Sequence, residues 1–214
     1  MRIKWLGHAA FLITSDAGVK IITDPYAPNE RIAYRELDES ADIVTVSHAH
    51  GDHSNAAVIK GNPTVVKETK EVKGIKFRAF PAFHDTTNGS ERGNMTLFCF
   101  EVDGIKLCHL GDLGHMLNNK QIAEIGKVDI LMTPMCGNFA IDAAAATEIY
   151  GKLGAKIVIP MHYKNERCPN LPAAGVDDFI KGKTNATRLE VSEAEFKAGV
   201  LPAAAQIVVM APAY

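Results

Sequence analysis

The stretch SHAHGDHS, residues 47–54, sets three histidines and an aspartate within six consecutive positions, directly after the apolar run DIVTV. Few side-chain sets constrain a chain so strongly, because imidazoles and a carboxylate held this close are the donors of a divalent metal site. A regular helix or strand cannot turn all of them inward. A loop at a strand end can, since successive side chains splay there and Gly51 accepts backbone angles closed to other residues. His48 and His50 can then grip one ion, while Asp52 and His53 fall where a second could sit. Imidazoles with a hard carboxylate suit zinc first, with manganese or iron(II) as alternatives, and suit calcium poorly.

Four local donors cannot complete two coordination spheres, so the pattern demands more His and Asp at later strand ends. Three candidates stand there: His84 after IKFRAF, Asp112 after the hairpin strand in HLGDLGH, and His162 after KIVIP. A lone strand-end His or Asp is more often a packing or capping residue. The recurrence beside the cluster makes each a candidate ligand.

The elements that would carry these residues are readable from pattern. Strands are expected at 3–6, 10–14, 20–23, 43–46, 65–67, 75–80, 96–102 and 105–109. Ser54 should cap a short helix over 55–60. Asp103-Gly104 is a two-residue hairpin turn that pairs Val102 with Ile105 and Cys99 with Cys108. It also puts His109 on the apolar face. Helices follow at 119–125, after the Asp142 cap up to Gly154, and at 176–180, with strands at 129–132, 156–160, 187–191 and 206–210. Residues 165–175 read as a loop. No linker or repeat divides the chain, so one domain over 1–214 is expected, an α/β fold of mixed sheets with helices outside them.

Composition narrows the partners. A net charge of −2 with no basic tract argues against nucleic acid, and no apolar run approaches a membrane span. Without a signal-peptide pattern at the N-terminus, a cytoplasmic protein is the simplest reading. Cys99, Cys108, Cys136 and Cys168 show no metal-binding spacing and are expected as free thiols. A homo-oligomer stays open.

H-x-H-x-D-H after a strand, with a later His, Asp and His each ending a strand, resembles the metallo-β-lactamase superfamily. TDPY at Asp24 is similar to its first motif. WLGHA, PAFHD, NGSERGN, HLGDLGH and PMHY resemble a branch of small metal-dependent hydrolases that includes ascorbate-6-phosphate lactonase and N-acylphosphatidylethanolamine phospholipase D. The resemblance implies an αββα four-layer sandwich, two mixed sheets flanked by helices, with a binuclear site at one sheet edge. It implies one metal on His48, His50 and His84, a second on Asp52, His53 and His162, and Asp112 bridging them. Asp24 would support these ligands from behind, with His8 and His109 near the site.

Two divalent cations contribute a charge of about +4 and two aspartates return about −2, so a bridging water would ionise near neutral pH. The hydroxide would attack an ester, lactone or phosphodiester in a small-molecule substrate, with Asp52 holding it. His115 is the candidate proton donor to the leaving group. Arg92 and Asn94, in a glycine-bearing loop, are candidates for holding an anionic substrate group. Three rival readings stay open: a phosphodiesterase or nuclease of the same fold, a non-catalytic metal-binding or sensing protein, and an oxidoreductase.

Overall fold

The structure, a computed structural model, describes residues 1–214. Two sheets carry the fold. The first contains β1 (Arg2–Gly7), β2 (Ala10–Thr14), β3 (Lys20–Thr23), β4 (Ile43–Thr45) and β5 (Thr64–Val66) in sequence order. The second runs from β6 (Lys70–Val72) through β7 (Ile75–Phe83), β8 (Asn94–Val102), β9 (Ile105–His109), β10 (Ile130–Pro134) and β11 (Ile157–Met161). Beyond β11 it adds β14 (Gln206–Val209) and then β12 (Ala186–Arg188) at its edge, while β13 (Glu193–Glu195) crosses back to pair with β1.

Strand alternation decides what each face of the first sheet buries. Phe11, Ile13, Ile21 and Ile43 face the core between the sheets. Leu12, Ile22 and Val44, one residue along, join a second apolar cluster on the outer face. Both faces of this sheet are therefore apolar and both must be covered. Tyr26, Ile32, Tyr34, Leu37, Cys168 and Leu171, from irregular chain, complete the outer cluster. The helices α1 (Asn119–Ile125), α2 (Ala143–Leu153) and α3 (Val176–Ile180) form a group in which α2 touches both others and β10. None of them is long and apolar enough to cross a membrane.

Local chemistry sets the element ends. Asp142 accepts from the Ala145 amide at 2.8 Å to start α2, and Gly154 closes it in the left-handed conformation with φ 65°. Asn118 and Gln121 form a reciprocal capping box on α1. In the hairpin, Asp103 and Gly104 both take positive φ, the signature of a primed turn. The expected register follows, with Val102 opposite Ile105 and Cys99 opposite Cys108. All four cysteines are buried and free.

The expected helix over 55–60 is a single 3₁₀ turn, Ala56–Val58, and Ser54 does not cap it. Gly61 and Pro63 follow too soon for a longer helix, and the Ser54 hydroxyl donates instead to the Ala49 carbonyl at 3.2 Å. The strands β6 and β13 carry no apolar alternation. A local hairpin closed by Lys73-Gly74, both at positive φ, makes β6, and long-range pairing with β1 makes β13.

Two measurements check this description. Titration of denatured, unreduced protein should find four free thiols, whereas two would reveal a Cys99–Cys108 bridge. Asp142→Ala should cost about 1 kcal/mol in chemical denaturation, with the m-value unchanged.

Candidate metal centre

Both sheets deliver donors to one edge. In the first, parallel β3 and β4 end together, and the Asp24 amide donates to the Thr45 carbonyl at 2.9 Å. That places Asp24 beneath the loop carrying His48, His50, Asp52 and His53. In the second, β7 ends before His84, while the parallel strands β9 and β11 end just before Asp112 and His162. The Thr96 amide donates to the Ser47 carbonyl at 2.9 Å and joins the two sheets beside the donors. Gly114 permits the closest approach: a Cβ there would lie 2.2 Å from the Asp85 nitrogen, so any side chain would force the Asp112 and His84 loops apart.

The Asp112 carboxylate is the meeting point. Its Oδ2 lies 3.0 Å from His53 Nε2, 3.3 Å from both His84 Nε2 and His162 Nε2, and 3.9 Å from His48 Nε2. His48 Nε2 and His50 Nδ1 are 3.0 Å apart. Donors about 2.0–2.1 Å from a shared zinc stand roughly 3.3 Å from one another in a tetrahedron, so these spacings suit common ions. Three groups result, each with donor atoms within 4.8 Å of one another: His48, His50 and His84; His8 with Asp52, His53 and His162; and Asp24 with His48 and His53, which overlaps both.

Satisfaction of polar atoms makes the same point. His8 Nε2, His53 Nε2, His84 Nδ1, Asp112 Oδ1 and His162 Nδ1 are buried without a hydrogen-bond partner, and Thr45 Oγ1 is the sole other such side-chain atom. Buried polar atoms left unpaired are costly and rare. Among them, His53 Nε2 lies at the Asp112 carboxylate and His8 Nε2 in the donor group with Asp52 and His162, which fits a cationic occupant. His84 and His162 instead face Asp112 through Nε2 and leave the other nitrogen unpaired.

A second layer of hydrogen bonds aims the donors. Asp24, fully buried, accepts from the Ser47 amide at 2.8 Å and from His53 Nδ1 at 2.9 Å, and also from the Ser47 hydroxyl. That hydroxyl in turn lies 2.9 Å from His48 Nδ1. Both imidazoles are thereby held with Nε2 turned toward Asp112. Burial alone would raise the Asp24 carboxyl, but His109, His53 and Ser47 outweigh it and hold it below its ordinary value. His109 donates through Nε2 to the Ala9 carbonyl at 2.9 Å and accepts the Gly111 amide through Nδ1, so it serves the scaffold with both nitrogens. Burial and the neighbouring His53 push His48 down to about 3. Asp112, despite its burial, is held well below the usual carboxylate range by His162 and His53.

Backbone strain gathers here too. His8, Asp24 and His162 take φ of 52°, 35° and 55°, a left-handed region that non-glycine residues enter at a cost of order 1 kcal/mol.

A cavity of about 350 Å³ opens above the donors, lined by His50, Asp52, His84, Asp112 and His162. Arg92 lines it as well, its guanidinium 5.0 Å over the Phe139 ring and 3.4 Å from the Asn138 carbonyl. Asn94 does not line this cavity; it opens β8 opposite Phe83. His115 also lies apart. Its Nε2 accepts the Phe83 amide at 3.2 Å and its Nδ1 meets the Met116 carbonyl at 2.9 Å, leaving no ring nitrogen for a substrate.

Four residues gain roles that the motif reading passed over. Asp85 accepts the amides of Thr87, Gly89, Glu91 and Arg92, which shapes the loop behind His84 and Arg92. Its signal was an Asp directly before a Thr-Thr-Asn-Gly turn sequence. Ser47, directly before His48, carried the only local hint of the Asp24 link. Arg31 and Phe139 line the cavity from segments with no motif.

Asp24→Asn keeps the volume but removes the charge behind His53. Metal affinity should fall about 10–100-fold in competition with a chromophoric chelator, with unchanged far-UV circular dichroism.

Known proteins provide the frame for this geometry. Residues 2–162 match the family model described as the beta-lactamase superfamily domain. A UPF0173 metal-dependent hydrolase of Carboxydothermus hydrogenoformans is 34% identical over 192 residues, covering 76% of this chain and 84% of that one. Another, from Methanoregula boonei, is 30% identical over 210 residues, covering 86% and 92%. The crystal structure of a Thermotoga maritima protein, assigned to Zn-dependent hydrolases of the metallo-β-lactamase superfamily, shares 36% identity. It superposes with a TM-score of 0.80 over 98% of this chain and 97% of its own. Fold, donor-rich edge and sequence thus agree, and the chain belongs to the metallo-β-lactamase superfamily, among its UPF0173 metal-dependent hydrolases.

Proposed function

We propose that this metal-dependent hydrolase uses two divalent ions, zinc foremost, to cleave an ester, lactone or phosphodiester bond in a small anionic molecule. The observation that carries the reading is Asp112 Oδ2, which stands 3.3 Å from His84 of one donor cluster and 3.0 and 3.3 Å from His53 and His162 of the other. One carboxylate between two histidine sets is the arrangement a bridged pair of ions requires. His48, His50 and His84 would hold one ion, Asp52, His53 and His162 the other. When bound, such ions lower the pKa of water toward about 7 and polarise the oxygen of the scissile group.

The chain's own residues account for the rest. Asp52 lines the cavity and, against the upward push of burial, is kept below its ordinary range by His8 and His53. It is therefore ionised at neutral pH. It can take the proton of an attacking water and return it to the leaving group, the role that sequence position suggests for His115. Arg92 is steadied by Phe139 and the Asn138 carbonyl, so its remaining N–H groups are oriented before a ligand arrives. Arg31 lines the same cavity. Two guanidinium groups beside two cations favour a substrate that bears negative charge.

Chelation should abolish turnover on a panel of nitrophenyl esters, lactones and bis(p-nitrophenyl)phosphate, and Zn²⁺ or Mn²⁺ should restore it. Asp52→Ala should lower kcat by about 10²–10⁴-fold on whichever substrate responds. Undiminished activity of that variant after metal removal would end the proposal. Oxygen consumption with bound iron would move the reading to an oxidoreductase.

A further inference from the structure

His8 lies far from the HAHGDH loop in sequence, yet the fold restrains it from several sides. It occupies the β1–β2 turn, where the strand register shifts between Trp5 and Gly7. Its carbonyl accepts from Trp5 Nε1 at 3.0 Å and from the His162 amide at 3.2 Å. The preceding Gly7 has φ 128°, and a Cβ there would lie 2.9 Å from the Tyr34 ring, so only glycine lets the chain enter this turn. The His8 ring is 1% exposed and packs 3.9 Å from the His162 ring, centroid to centroid.

What distinguishes His8 from a packing histidine is its Nε2. That atom is buried, has no hydrogen-bond partner, and points at the second donor cluster. It stands 3.3 Å from Asp52 Oδ2, the separation of two ligands on one zinc. Its polar neighbours are themselves candidate ligands, Asp52, His53 and His162. His109 shows the contrast, with both nitrogens bonded to backbone.

We propose that His8 is itself a ligand of the second ion, joining Asp52, His53, His162 and the bridging Asp112. The inference rests on the two-ion reading given above. It makes the two halves unequal. The second ion would receive five protein donors and the first four, from His48, His50, His84 and Asp112. The first half also contains exposed His50, whereas His8, His53 and His162 are all buried.

Histidine ¹⁵N NMR of the zinc-loaded wild type tests this without any turnover assay. His8→Gln identifies the His8 signals, and dialysis with metal analysis counts the ions. The expected result is two zinc ions per chain and a His8 Nε2 that carries no proton and has the shift of a metal-bound nitrogen. Cobalt-loaded H8Q should then show an altered visible spectrum and about tenfold or greater loss of affinity for one ion. If H8Q fails to fold, the His8 signals can be assigned in the wild type through scalar couplings, and the protonation state is read there. Two bound ions with a proton on His8 Nε2 would overturn the His8 assignment alone. Failure to take up a second ion would overturn both this assignment and the two-ion reading beneath it.

Discussion

Everything at the working edge depends on one buried carboxylate surrounded by imidazoles. Asp112 is 2% exposed and its Oδ2 lies within 4 Å of four histidine nitrogens. Without a shared counter-charge, so many buried polar atoms would be expensive to assemble. The fold tolerates the expense because its apolar layers are extensive on both sides of the first sheet and across the second. Strain in the backbone at His8, Asp24 and His162 is absorbed in the same way. The centre is an arrangement imposed by the sheets, and its donors do not find one another through local preference.

Much of that arrangement was legible because a strand followed by a donor is a local pattern. His48, His84, Asp112 and His162 each stand just past a run whose apolar content and alternation mark it as a strand. Parallel pairing among β9, β10 and β11 then forces two of these ends onto the same edge. The hairpin register was equally readable, since a two-residue turn leaves no freedom in pairing. Asp142 and Gly154 marked α2 by the ordinary chemistry of helix ends.

What escaped the sequence depends on distance along the chain. The short strand β13 consists of Glu-Ala-Glu and exists because β1 offers an edge, almost the whole chain away. His115, three residues past Asp112, looked well placed by number, but its turn carries it to the Phe83 amide instead. Conversely, the resemblance of WLGHA placed His8 near the site, but its approach to Asp52 comes from the tertiary fold. Asp85 was passed over because its function is to organise amides, which leaves no trace in a search for metal donors.

The origin of the donors in different sheets has a consequence for assembly. The loop after β4 belongs to one sheet, while His84, Asp112 and His162 end strands of the other. An ion held between them would act as a cross-link, closing a loop of chain from residue 53 to residue 162 that no disulfide spans. Such an ion would reach its full donor set only once both sheets had formed and docked. Its binding free energy is then added to the stability of their packing, as for any ligand that recognises the folded state alone. Metal supply in the cell would therefore govern how long this protein lasts as well as how fast it works.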